Sequence, residues 1–452
     1  MIYLVLGMLI LSQHDEIANS NNKIALPIVT IKKGPKAVAS HISDLGLTGD
    51  DLIVFFKKNL RKIITYDSKY RDLSKIKNIK VSQYYDVFYR YLFLETPDSS
   101  PDSGLDSSMK IPTLHKLTRN VTPLPIHSHN DYWRDLPLFE ALMYGSTSVE
   151  ADIWNVPKNS NAKNINLMDF NGMDKKLLNK DINDYKLAVG HNINYLDTKN
   201  RLLDNLYTTP LKLMLDEVNI NIKDSKKSHH LTRDIKNPNS IPHKDYDLVL
   251  ENEPKIGVFY DSPHTTLYFY LDFKSDDNEL TYKLLLKDYL KPLIDQNYLS
   301  YYDIVKNEIV SNPITVILTG NYPRKLLNII NSIEGINSNK LYTFMEAPLD
   351  DLKNLNEEQL KFSIVSSTSF SSLLEKCDSS PWQVVWRGEM TSHEINCIKN
   401  YMIQAQSKGF KTRIWGVPSW PKNVERTLWK QQIRDLNVDF LNVDDLASAV
   451  DF

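Results

Sequence analysis

From Leu124 to the C-terminus, short apolar runs alternate with amphipathic helical stretches, and this alternation constrains the fold more than any other feature. A strand that feeds a helix and returns to a parallel neighbour builds a parallel sheet wrapped by helices. The spacing predicts strands at 124–129, 148–154, 187–191, 267–274, 314–320, 342–347, 383–389, 412–417 and 439–443. Helices are predicted between many of them, such as LPLFEALMYG after the first and NELTYKLLLKDYLKPLI after the fourth. With 187–191 or 342–347 as an accessory strand the count is close to eight. A closed TIM-like (β/α)8 barrel is therefore expected rather than an open doubly wound sheet. No glycine-rich nucleotide fingerprint follows any of these runs.

The remainder of the chain has a different texture. Of its 452 residues 42% are apolar, enough for one large core and a smaller appendage. Residues 1–12 open with MIYLVLGMLIL, a run that suits a signal peptide or a short membrane anchor. A helical region is predicted over 24–95, with Leu52, Phe55, Phe56 and Leu60 on one face, and its many lysines suggest either a solvated face or peripheral membrane association. A Pro/Ser/Gly/Asp-rich linker occupies 96–116, the barrel 117–452, and polar surface insertions are expected around 155–186 and 218–256. The apolar start points to the secretory pathway or a membrane ahead of a cytoplasmic or mitochondrial location. A formal charge of -2 gives no field to hold a polyanion, so no nucleic-acid partner is expected. Cys377 and Cys397 are read as two buried thiols in preference to a single bridge.

Working groups in a parallel barrel sit at the carboxyl ends of strands. Glu150 and Asp152 are two apart and share one face of an extended strand, a pairing that suits a hard divalent cation, Mg²⁺ or Ca²⁺. Asp272 ends another strand and can complete the ligand set, with Lys274 on the same face able to hold a phosphate oxygen. His127 and His129 share a face, Asn130 adds a neutral carbonyl oxygen, and His191 ends the run LAVGH. Two imidazoles on separate strands can pass a proton from an attacking hydroxyl and to a leaving alkoxide. Trp415 is read as an apolar wall over the substrate and Arg387 as a phosphate contact. The serine-rich stretch at 366–372 lacks the G-x-S-x-G turn, which argues against serine hydrolase chemistry.

HSHNDYWR, LPLFEAL, VEADIWN, LAVGHN, LYFYLDFKSDDNELTYKLL, ITVILTGNYP and TRIWGVPSWP resemble the fungal altered inheritance of mitochondria protein 6 family. That family lies in the phosphatidylinositol-phospholipase-C-like superfamily, with glycerophosphodiester phosphodiesterases and sphingomyelinase D. The resemblance implies a TIM-like barrel with His127 and His191 as acid and base. It also implies Glu150, Asp152 and Asp272 as ligands of Ca²⁺ or Mg²⁺, Lys274 beside the phosphate and Trp415 as a late aromatic. Where glycerophosphodiesterases begin H-R-G, this chain has His127-Ser128-His129. The S-H-N of eukaryotic phospholipase C therefore makes His129 a competitor, with His127 preferred.

The expected function is a divalent-metal-dependent phosphoric diester hydrolase acting on a phospholipid-derived or glycerophosphodiester substrate. The alternative is a catalytically silent barrel that binds a lipid headgroup or phosphate as a membrane-associated adaptor.

Overall fold

The computed structural model describes residues 47–66, 81–94, 112–158, 181–219 and 254–452. The expected leader at 1–12, the linker core at 96–108 and most of both insertions lie outside the described residues. The first six strands are β1 (Leu124–Ser128), β2 (Ser146–Pro157), β3 (Tyr185–Val189), β4 (Leu267–Phe273), β5 (Tyr301–Asp303) and β6 (Glu308–Val310). The next six are β7 (Ile314–Gly320), β8 (Lys340–Leu341), β9 (Thr343–Pro348), β10 (Ser363–Ser369), β11 (Lys411–Trp415) and β12 (Phe440–Val443).

Eight of these, in the order β1-β12-β11-β10-β9-β7-β4-β2, run parallel, and a β1–β2 pairing closes the ring into a (β/α)8 barrel. The strand at 187–191 is the accessory one, since β3 runs antiparallel to β2 and lies outside the ring. The strand at 342–347 is a full barrel member. β5, β6 and β8 form a separate small sheet.

One predicted strand is not a strand. Residues 383–389 fall largely in a helix, Pro381–Arg387, with Pro at its start, a Ser380–Gln383 capping box and Gly388 in the left-handed conformation at its end. These are ordinary helix punctuation. The barrel position instead belongs to β10, SIVSSTS, whose hydroxyl-rich composition hides it from any apolar count; Ser366 and Ser367 are nevertheless buried.

The N-terminal helices belong to the same core as the barrel. Helix Gly49–Tyr66, with Asp50 and Asp51 in its first turn, buries Leu52, Ile53 and Phe56. The Phe56 ring meets Phe88 at 5.0 Å, and Phe88 meets Phe139 of the first barrel helix at 5.7 Å. Each such buried aromatic contributes about 1.5–3 kcal/mol. Lys57 pairs with Glu140 at 2.8 Å, so part of the basic face is turned to the barrel and not to a membrane. A second apolar cluster holds the helices of 370–407 together. There the expectation of two thiols fails: Cys377 and Cys397 form a disulfide. Among the described residues no helix is long and apolar enough to cross a membrane.

Candidate active site

Register assembles the acids. β2 and β4 pair in parallel with Glu150 opposite Tyr270 and Asp152 opposite Asp272, and on the next strand Asp272 is level with Thr319. Alternation turns Glu150 and Asp152 the same way. Ligand oxygens of Glu150, Asp152 and Asp272 lie within 4.8 Å of one another at the mouth of the barrel. Gly320, at φ +70°, is needed beside them, because a Cβ there would run into the Asp272 carboxylate and the Phe273 carbonyl oxygen.

Three carboxylates this close repel one another. Burial and the charges of Glu150 and Asp272 push Asp152 up to about 6, against the opposing pull of Lys274. Burial likewise raises Asp272. The Lys274 ammonium lies 2.6 Å from Asp272 Oδ2 and 3.2 Å from Asp152 Oδ2; burial disfavours its charge, but the two carboxylates outweigh that and raise its pKa. The donor set is all oxygen, crowded, acidic and only partly neutralised, which fits a hard divalent cation. Asn130 contributes to the same corner: its backbone N–H donates to Glu150 Oε2 at 3.0 Å. Its side-chain oxygen accepts from the Tyr132 hydroxyl at 2.6 Å.

Two histidines flank the acids. His129 stands past the end of β1, with Nδ1 2.7 Å from Asp444 Oδ1 and Nε2 3.9 Å from Glu150 Oε2. Burial disfavours its charged form, yet the Asp444 hydrogen bond and the Glu150 charge prevail and raise its pKa. His191, half exposed, points Nδ1 at Asp152 Oδ2 and at the Tyr132 hydroxyl, both at 3.3 Å. In each ring a carboxylate orients Nδ1.

His127 is placed differently. It is fully buried inside the barrel, below the mouth, with Nδ1 2.7 Å from Ser148 Oγ and Nε2 2.9 Å from Arg413 Nη1. A guanidinium only donates, so Nε2 must accept and the proton sits on Nδ1, directed at Ser148. Burial and the Arg413 charge push His127 down to about 3. Its ring is thus neutral with both nitrogens engaged, while His129 reaches the cleft.

The cleft above these groups holds about 450 Å³. His129, Asn130, His191, Lys274 and Trp415 all line it, together with the three acids. Arg387 does not; it sits on the helix at 381–387 and bonds Glu394 at 2.5 Å, so the expected phosphate contact is a structural ion pair. The buried cation that does reach the cleft is Arg413, bound to Glu346 at 2.9 Å, to Asn442 Oδ1 at 3.0 Å and over the Tyr270 ring. Thr319 in turn donates to Glu346 at 2.5 Å. Arg413 and Glu346 each lie in a predicted strand, but nothing local to either marks it as facing the cleft, since their pairing joins strands 67 positions apart. Tyr132 escaped as an ordinary aromatic in a turn.

A parallel barrel whose mouth gathers three carboxylates between two carboxylate-oriented histidines is of phosphodiesterase type, and residues 115–164 and 231–334 match the AIM6-like phosphodiesterase domain. The chain belongs to the altered inheritance of mitochondria protein 6 family. It is 43% identical over 412 residues to the protein of that name from Saccharomyces cerevisiae (strain YJM789), covering 91% of this chain and 88% of the relative. The Candida glabrata protein is 41% identical, covering 90% and 87%, and the Kluyveromyces lactis protein is 37% identical, covering 100% and 97%. No solved structure matches significantly.

Proposed function

We propose that the protein is a divalent-metal-dependent phosphoric diester hydrolase acting on a phospholipid-derived or glycerophosphodiester substrate. The observation that carries this reading is the trio Glu150, Asp152 and Asp272, gathered within 4.8 Å and flanked by His129 and His191. Mg²⁺ or Ca²⁺ held by the three acids would neutralise phosphate oxygens. The chain supplies the rest. Asn130 and Tyr132 hold Glu150 and Asp152 in place, and Lys274 offers a point charge to a phosphate oxygen. His129 Nε2 and His191 Nε2 move the protons, one accepting from the attacking water or neighbouring hydroxyl and the other donating to the leaving alkoxide. A neighbouring hydroxyl as nucleophile would give a cyclic phosphate first.

The test is turnover of a panel of lysophospholipids, phospholipids and glycerophosphodiesters with Mg²⁺ or Ca²⁺ present. Cleavage that EDTA stops and Glu150→Gln abolishes is expected. Absence of any cleavage, or full activity in Glu150→Gln, would overturn the reading.

A further inference from the structure

We propose that the rim of the barrel mouth is a docking surface for a phospholipid bilayer, built from exposed tryptophans. The chain has seven tryptophans, and five of them are exposed: Trp133 at 62%, Trp382 at 74%, Trp386 at 80%, Trp415 at 41% and Trp420 at 76%. Indole is the side chain whose exposure is costliest to leave unexplained, because it carries a large apolar area with one polar edge.

All five stand at one end of the barrel. Trp133 follows β1, Trp415 is the last residue of β11 and Trp420 lies in the loop after it, so parallel strands carry these three to the mouth. Trp382 and Trp386 are one turn apart on the helix Pro381–Arg387, part of an arm inserted after β10. Arg387 and Ser379 both bond Glu394, in the first turn of helix Ser392–Ser407. That helix returns from the mouth to the start of β11, so its first turn, and the arm pinned to it, are at the mouth end. The surface is continuous with the cleft: the Trp133 ring is 5.1 Å from His191, and Trp415 lines the cavity.

The arrangement is an arc of indoles along one side of a polar opening, from β1 past β11 to the arm after β10. A protein partner anchored by aromatic side chains seats them at the centre of its interface and would cap the cleft. A bilayer takes them at headgroup depth, where indole partitions best, and leaves the cleft facing the headgroups. Exposed Arg324 and Lys325 at this end are matched by exposed Asp444 and Asp351. Indole insertion and not net charge therefore provides the attachment, which makes it insensitive to salt. This surface stands independently of the proposed hydrolysis.

The experiment is co-sedimentation of the full chain with phosphatidylcholine vesicles in EDTA, where no turnover occurs, at low and high salt. Tryptophan emission is read in parallel. The protein is expected to pellet equally at both salts with a shift of emission to shorter wavelength. Trp382→Ala/Trp386→Ala is expected to weaken partitioning by at least about tenfold, and Trp420→Ala, on a separate loop, to weaken it again. These side chains make up no part of the core, and near-ultraviolet dichroism from buried Trp429 reports that the fold is kept. The proposal is overturned if the protein does not pellet, if pelleting needs anionic lipid and vanishes at high salt, or if the double substitution leaves it unchanged. It is equally overturned if the chain self-associates without vesicles and the same substitutions abolish that association.

Discussion

Arg413 donates to Nε2 of His127 at 2.9 Å, deep in the barrel, and with Ser148 at Nδ1 it leaves neither ring nitrogen of His127 free. The guanidinium fixes His127 as a neutral acceptor and ties it to β11, even though its Nε2 is also 3.7 Å from Glu150 Oε2. His129, two residues on, escapes because β1 ends at Ser128 and Asn130 turns the chain at φ 47°.

Exchange of the two histidines should therefore separate activity from stability. His129→Ala is expected to lower turnover by about 10²–10⁴-fold with little change in thermal midpoint. His127→Leu keeps most of the volume but strands the Arg413 and Ser148 partners, a cost of about 2–4 kcal/mol in chemical denaturation. Loss of stability in the first variant and not in the second would reverse the assignment.

The acid cluster gives a pH dependence with a defined sign. Asp152 is pushed up to about 6 in the folded chain, above its ordinary 3.8, so between those values the folded state binds more protons than the unfolded one. Stability from this group is full below the ordinary value and is lost as pH rises through 6, by at most about 3 kcal/mol. In EDTA, thermal midpoints from pH 5 to 7.5 should fall more steeply for the parent than for Asp152→Asn. Added Ca²⁺ or Mg²⁺ should raise the midpoint at pH 7.5 and do little at pH 5, where protons compete for the ligand oxygens. A parallel fall in parent and variant would remove Asp152 as the cause.

Lys274 lies so close to Asp272 and Asp152 that it can be a substrate contact or merely their counter-charge. Lys274→Met distinguishes the two. As a phosphate contact it should cost about 10²-fold in turnover while calorimetry still detects cation binding, since the carboxylates remain. If cation binding disappears with turnover, the lysine serves only to hold the acids in place.

The sequence displayed the barrel because seven of its eight strands are apolar enough to register as runs, and it displayed the acids because alternation along β2 is visible in Glu150-Ala151-Asp152. It concealed β10, whose hydroxyl-bearing side chains do not register as an apolar run although Ser363, Ser366 and Ser367 are buried, and it offered the Trp382–Trp386 helix as a strand because exposed indoles score as apolar. The choice between His127 and His129 turns on where a strand ends and on an arginine 286 positions away, and neither is a local property. The disulfide was equally out of reach, since pairing depends on two helices being packed side by side.

That disulfide, Cys377–Cys397, spans 20 positions and joins the end of helix Phe370–Lys376 to the middle of helix Ser392–Ser407, enclosing the whole arm that carries Trp382 and Trp386. Closing a loop of this length limits the unfolded chain and contributes about 3 kcal/mol. Inside the arm, helix Pro381–Arg387 buries only Val384, so the bridge, the bonds of Arg387 and Ser379 to Glu394 and those between the Met390 backbone and the Gln431 side chain add to its restraint. Cys377→Ser/Cys397→Ser should thus unfold at lower denaturant, and amide exchange should quicken over 377–390 while the acids and histidines keep their protection. Turnover of a soluble phosphodiester should be unchanged, because no residue of the arm lines the cleft. Equal stability with and without the bridge, or faster exchange at Glu150 and Asp152, would show that the bridge does not act on the arm alone.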